Sequence, residues 1–236
     1  DNIHLVFSFT TGSFYKIQYM NYTGSWSTAI TLSTYAGMSS YHQLYPNIIV
    51  DLSNNLHVTW GGKTTGNTSY QLWYSNKVGS NWSTPVSVSG TGGNTWDVEI
   101  QPSAVCDILN EIHVVWHERS SPTSTVTQIF YSKYNSTAWS SPAIISTASG
   151  MSSLGQYYPS ISTTDYGHLF VFFTGRVNPS AFDSIWVTSF NGSWSTPYNY
   201  WGPTSGNTGY FINSKNNAYP TMNNNFIPLI FKDNPN

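Results

Sequence analysis

The sequence predicts an all-β fold built from a repeated four-stranded antiparallel unit, and three series of residues predict it. The first is a phrase written four times: TGSWSTA (23–29), GSNWSTP (79–85), STAWSSP (136–142) and NGSWSTP (191–197). Its tryptophans, Trp26, Trp82, Trp139 and Trp194, lie 56, 57 and 55 residues apart. The second series is Pro46, Pro102, Pro159 and Pro220, mostly preceded by tyrosine. The third is NIHLVF (2–7), NLHVTW (55–60), EIHVVW (111–116) and the looser HLFVFF (168–173). Three markers on one period near 56 residues define an internal repeat.

Each unit reads as strands A to D. Strand A follows the proline (YPNIIVD), where the missing N–H costs no ladder hydrogen bond. Asp51, Asp107 and Asp165 then fall at the A–B turn, where an aspartate caps its own backbone. Strand B is LHVTW, and strand C is YQLWYS, TQIFYSK or SIWVTS. Strand D opens at the repeated tryptophan (WSTPVSVS, WSSPAIIS). Val, Ile, Thr, Trp and Tyr fill these stretches, Gly, Asn, Ser and Asp fill the gaps, and no helical period interrupts them.

Four-stranded units at this spacing predict the blades of a β-propeller, with four to five blade positions represented. At 236 residues the chain is long enough for one all-β domain over 1–236. Blade 1 takes strands B to D from 2–33, blade 2 spans 45–89, blade 3 spans 101–146, blade 4 spans 158–201, and closing strands lie at 219–231. A strand A supplied from 219–231 would complete blade 1 and leave one strand spare. The alternative, which the unmatched ends favour, is a piece of a longer propeller. The chain opens directly on a strand-like stretch, which suggests a processed or excised product.

The repeat resembles that of the sialidase-like propellers, whose blades carry an Asp-box, Ser-x-Asp-x-Gly-x-x-Trp, in the C–D turn. Blade 2 has Ser75, Gly79 and Trp82 in the matching places, with Lys77 where the aspartate belongs. Blade 3 keeps Ser132 and Trp139, and blades 1 and 4 keep the tryptophan with Gly24 and Gly192 nearby. In that family the turn is a folding element remote from the ligand face. The resemblance therefore implies that each repeated tryptophan is packing, capping the outer edge of its blade.

Composition narrows the function. Only 8% of residues are charged and the net charge is -2, so the basic field that nucleic-acid binding needs is missing. No apolar run approaches a membrane span and no signal peptide is visible. The single cysteine, Cys106, excludes an internal disulfide.

Catalysis finds little support. Sialidases, as the resemblance implies, grip the substrate carboxylate with three arginines, and this chain has only Arg119 and Arg176. A glycosidase of another kind needs two carboxylates about 5–10 Å apart, and Asp97, Glu99, Glu111, Glu118 and Asp183 offer no pair with a signature. No G-x-S-x-G is present, and Cys106 has no evident base. His4, His57 and His113 recur at one place in strand B, where symmetry holds them apart and hydrogen bonds between blades account for them. WHER (116–119) is too isolated for zinc. The expectation is a chain with no catalytic activity, no cofactor and no metal site.

Binding is better supported. In propellers the D–A and B–C loops gather on one face. Here the D–A loops are 34–43, 90–101, 147–156 and 202–218, with GMSS recurring at 37–40 and 150–153 and GNT at 93–95 and 206–208. The B–C loops are 117–127 and 174–183. Aromatic rings beside acids, amides and arginine suit sugars, because the ring packs on the apolar face and polar groups take the hydroxyls. Trp96, Asp97, Glu99, His117, Glu118, Arg119, Arg176 and Trp201 are the expected ligand-binding residues, unless Trp96 and Trp201 merely plug the face.

Asn-x-Ser/Thr occurs at Asn21, Asn67, Asn81, Asn135 and Asn191, four of the five in C–D turns, where a glycan is tolerated. Together these features predict an extracellular attachment module at a cell or virion surface, with glycans or a surface protein as partners. The alternative is a structural subunit of a surface layer, spike or filament, a viral receptor-binding spike included, and behind it stands a glycoside hydrolase.

Overall fold

The computed structural model describes residues 2–90, 100–119, 124–202, 211–212 and 231–232, and these are nearly all strand and turn. The chain divides into two compact units at Pro102/Ser103.

The first unit holds two antiparallel sheets. One is β1 (Ile3–Thr11), β2 (Phe14–Tyr22) and β3 (Ile30–Thr31) in that order. The other runs β4 (Gln43–Val50), β5 (Leu56–Thr64) and β6 (Asn67–Val78), after which both β7 (Asn81–Trp82) and β8 (Val86–Ser87) pair with β6. Pro85 lies between β7 and β8, on the edge strand, where proline is tolerated. The second unit holds two four-stranded sheets. The first is β9 (Ser103–Cys106), β10 (Ile112–Arg119), β11 (Thr127–Tyr134) and β12 (Ala143–Ile144). The second is β13 (Gln156–Thr163), β14 (Leu169–Gly175), β15 (Ser184–Phe190) and β16 (Tyr198–Trp201). β17 (Phe211–Ile212) pairs with β18 (Phe231–Lys232). The expected closing segment 219–231 falls outside the described residues except at its last position.

The repeated phrase is a staple between strands C and D of each repeat. The serine after each tryptophan accepts a backbone N–H from strand C (β2, β6, β11 or β15) through its Oγ. These bonds are Asn21 to Ser27 (3.1 Å), Asn76 to Ser83, Lys133 to Ser140 and Ser189 to Ser195 (each 3.0 Å). In three sheets a third-strand hydroxyl answers it: Ser75, Ser132 and Thr188 donate to the carbonyls of Ser83, Ser140 and Ser195 at 2.7–2.8 Å.

The tryptophans depart from the expected outer-edge cap. Trp82 packs edge-on against Tyr19 of the preceding sheet, with centroids 5.0 Å apart, and Trp194 packs likewise on Tyr131 at 4.9 Å. Both are inter-sheet contacts, while Trp26 and Trp139 pack on Tyr22 and Tyr134 of their own sheets, and Trp194 also packs on Phe190 of its own. An edge-to-face pair gains from ring quadrupoles as well as buried area.

The recurring histidines also differ from expectation, because their bonds stay inside one sheet. His4, His57 and His113 are hydrogen-bonded through Nδ1 to Tyr19, Tyr74 and Tyr131 on the adjacent strand at 2.7–2.8 Å. In the second sheet Asp51 Oδ2 meets His57 Nε2 at 3.3 Å, and in the third Asp107 Oδ2 lies 3.1 Å from His113 Nε2. Asp51 and Asp107 cap their turns as expected, Oδ1 accepting the N–H of Ser53 and Asn55, or of Leu109 and Glu111. Asp165 does not: Thr164 Oγ1 accepts from Tyr166 and His168 in its place, and Asp165 is exposed. The fourth sheet replaces the set together, with Thr164, Phe170 and Val187 where the others carry Asp, His and Tyr. Phe170 packs there on an apolar cluster of Phe172, Ile185 and Val187. A buried histidine without its partners would be costly, so the three positions change as one.

The GMSS turns supply each unit with a core plug. Met38 and Met151 are fully buried, the first among Ile17, Val58, Trp60 and Trp73, the second among Val115, Ile129, Ile161 and Phe173. Gly37 and Gly150 enter these turns at φ 85° and 91°, and a Cβ on Gly150 would collide with the Val177 carbonyl. From the third position of β2, Lys16 Nζ donates to the carbonyls of Met38, Ser39 and Tyr41 at 2.6–3.0 Å. Gln128 does the same in the third sheet, donating to Met151 and Leu154.

Candidate functional site

His117, Glu118 and Arg119 are strand residues, not loop residues as the sequence suggested. They end β10, paired with Ile129, Gln128 and Thr127 of β11. The backbone alternates there, yet His117 and Glu118 are both buried, because β10 is covered on both faces.

Glu118 occupies a place that is glycine in the second and fourth sheets. Gly62 and Gly175 stand at the same register, opposite Gln43 and Gln156, and a Cβ on either would overlap the glutamine Oε1. In the second sheet Gln43 fills the space and accepts the Trp60 Nε1 hydrogen at 3.1 Å. In the third sheet Glu118 fills it from the other strand and accepts from Trp116 Nε1 at 2.8 Å. In the fourth, Phe173 replaces the tryptophan, and Gln156 Oε1 has no donor among the described residues. Burial pushes the Glu118 carboxyl up to about 7, and the hydrogen bond from Trp116 only partly opposes this. The group therefore ionises near neutral pH, well above the ordinary carboxylate range.

His117 joins this strand end to β13. Its Nδ1 accepts the Tyr158 N–H at 3.4 Å, and its ring meets Tyr157 and Tyr158 edge-on at 6.0 and 5.4 Å. Tyr158 is in the left-handed region at φ 52°, at a bulge before Pro159, and Tyr45 repeats this at φ 54° before Pro46. A bulky residue there costs on the order of 1–3 kcal/mol and is kept where surrounding packing dictates it. No tyrosine of this pair was among the expected site residues. The Tyr-Pro series is the available signal, and in the sequence it marks a strand start only.

Arg176 lies beyond β14. Its carbonyl accepts from Gln156 Nε2 at 2.9 Å, one residue before Tyr157, and its Nε is 3.2 Å from Asp183 in a half-exposed ion pair. Trp201 ends β16, the edge strand, with β14 and β15 between it and β13; it is exposed and is not brought to the tyrosine pair. Trp96, Asp97 and Glu99 lie outside the described residues. The described part of the expected set thus gathers as His117, Glu118 and Arg119 on one strand end, with Arg176 tied to the strand that faces it.

Of the Asn-x-Ser/Thr asparagines, Asn81, Asn135 and Asn191 are exposed at the C–D turns, Asn21 is half-buried at the end of β2, and Asn67 opens β6. Among the described residues, Asp107, Glu111 and His113 form a group able to hold a metal ion, at the opposite end of β10 from Glu118.

No family model matches the chain, and no curated protein matches its sequence. The architecture does match solved structures. An endo-arabinase from Bacteroides thetaiotaomicron aligns over 91% of this chain and 81% of its own, at TM-score 0.53 and 13% identity. An ulvan lyase bound to a GlcA–Rha3S unit aligns over 77% of this chain at TM-score 0.53 and 12% identity, and the chain spans 48% of its length. A lectin from Aleuria aurantia, a six-bladed β-propeller that recognises fucose, aligns over 86% of this chain at TM-score 0.52 and 13% identity, and the chain spans 58% of its length. These likenesses establish the class of fold, four-stranded antiparallel sheets of the kind found in propeller proteins that act on or bind glycans. They do not single out the sialidase-like repeat.

They also correct one expectation. The expectation of no catalysis rested on the missing arginine triad, on the lack of a carboxylate pair with a signature and on the absence of a nucleophile motif. A polysaccharide lyase and an endo-arabinase share this fold, so the fold is compatible with catalysis and none of these grounds stands as an exclusion.

Proposed function

We propose that this chain is a β-propeller, or a piece of one, that engages carbohydrate at the strand end formed by β10 and β13. One observation carries this reading: the strand that ends in His117, Glu118 and Arg119 meets the paired rings of Tyr157 and Tyr158 through His117. Tyrosine rings give a sugar an apolar platform at low entropic cost, and arginine and imidazole take its hydroxyl or carboxylate groups. Trp96, Asp97 and Glu99 belong to the same proposal through their place in the adjoining D–A loop sequence. The sequence setting is extracellular, with exposed Asn81, Asn135 and Asn191 as acceptors for glycans of the chain's own.

Glu118 supports a second reading, polysaccharide cleavage. A carboxyl group that keeps its proton to about pH 7 is suited to donate it to a leaving oxygen.

A glycan array and a panel of soluble polysaccharides, both probed with the purified chain, test the two together. Saturable binding lost in Tyr157→Ala and Arg119→Ala is the expected result, and binding that survives both substitutions refutes this placement. Chain cleavage that disappears in Glu118→Gln would add the second reading. No binding and no cleavage, by a folded chain, would leave neither.

A further inference from the structure

We propose that Asp107, Glu111 and His113 form a binding site for a divalent cation of the zinc type, at the turn between β9 and β10. Their ligand atoms lie within 4.8 Å of one another. The second sheet shows what the same three positions do without a cation. Asp51, Asn55 and His57 satisfy one another there: Asn55 Nδ2 donates to Asp51 Oδ2 at 2.9 Å, and His57 Nε2 bonds to the same oxygen. The third sheet puts Glu111 where Asn55 stands. A donor becomes a carboxylate, and two acceptors now face each other across an imidazole.

The hydrogen bonding reflects that change. His113 Nε2 is buried and has no hydrogen-bond partner, although Asp107 Oδ2 is 3.1 Å away; the two lack a hydrogen bond's alignment. His113 itself is 3% exposed. Its other nitrogen, Nδ1, is bonded to Tyr131 at 2.8 Å, the outer-shell contact that fixes ring orientation and tautomer in metal-ligating histidines. Asp107 Oδ1 is committed to the N–H groups of Leu109 and Glu111, leaving Oδ2 to face His113. Lys133 Nζ holds Glu111 Oε2 at 2.8 Å, which orients that carboxylate and leaves Oε1 available. Each ligand therefore has one atom anchored and one presented.

The donor set is one imidazole nitrogen and two carboxylate oxygens, each a ligand type that zinc takes, and three such ligands leave a fourth tetrahedral position for water. Ligand atoms around zinc at about 2.0–2.2 Å stand roughly 3.3 Å apart in a tetrahedron. The Asp107–His113 pair is already at that spacing, and Glu111 has only to close in. The site belongs to the turn, so its role is to fix β9 against β10 rather than to serve the opposite strand end.

Calorimetric titration of Zn²⁺ into chelator-stripped full-length chain tests this, with melting temperature read in parallel. Expected are one saturable site, a raised melting temperature, and binding weakened about tenfold or more in Glu111→Asn. That variant rebuilds the self-satisfied set of the second sheet, so it should fold. His113→Gln should abolish binding. Absence of saturable Zn²⁺ binding, or affinity unchanged in Glu111→Asn, would overturn the proposal.

Discussion

Trp116 donates its Nε1 hydrogen to Glu118 at 2.8 Å, whereas Trp60, its counterpart in the preceding sheet, donates to Gln43 at 3.1 Å. One donor is thus satisfied by an acid in one sheet and by an amide in the next. The acid is the costlier choice once it ionises.

Glu118→Gln should therefore stabilise the chain at high pH. The folded-state value is raised from 4.5 to about 7, so the folded protein holds a proton that the unfolded chain loses between these values. Stability falls as pH rises through this window, by up to about 3 kcal/mol above it. Glutamine keeps an acceptor for Trp116 and has no charge to bury. Urea denaturation at pH 5 and pH 8 should show the variant's advantage growing with pH, and equal curves at both would contradict it.

The buried histidines act in the opposite direction. Burial lowers His57 and His113, outweighing their aspartate partners, so the unfolded chain binds protons that the folded one refuses. Their contribution is complete above the ordinary histidine value of about 6.5 and is lost as pH falls below it. Replacing Asp51, His57 and Tyr74 by the fourth sheet's Thr, Phe and Val should flatten the acid side of the melting-temperature profile. An unchanged slope below pH 6.5 would rule this out.

Trp194 and Trp26 carry the same phrase with different energies. Trp194 bridges two sheets through Tyr131, while Trp26 is 47% exposed on its own sheet. Trp194→Ala should cost about 2–4 kcal/mol and Trp26→Ala about 1 kcal/mol or less. Chemical denaturation of the two variants would separate them, and equal losses would return both to simple edge caps.

Lys16 is a buried cation held by three carbonyls, and burial lowers its affinity for a proton. Gln128 serves the equivalent turn in the third sheet. Lys16→Gln should fold with little loss, whereas Lys16→Leu leaves the carbonyls unserved and should cost about 2 kcal/mol or more. Similar melting temperatures for the two would argue against that role.

The repeat, its strands and its turns are legible in the sequence alone. Period and alternation are local properties, and a four-times-written phrase needs the same local staple each time, as Ser27, Ser83, Ser140 and Ser195 provide. It also marked His117, Glu118, Arg119 and Arg176, because charged groups are scarce enough in this chain to stand out. What only the tertiary structure decided is which partner each side chain meets. The tryptophans were legible as packing, but not that Trp82 and Trp194 reach the neighbouring sheet, since that depends on how two sheets stack. The tyrosines before Pro46 and Pro159 gave no sign of a left-handed bulge, because backbone strain is imposed by surroundings. From the sequence Glu118 is a loop acid, and only its strand register, where the second and fourth sheets carry glycine, shows why it is buried and its carboxyl pushed up. Residue type fixes what a group can do; the field and the partners that decide whether it does so come from chain segments far away in sequence.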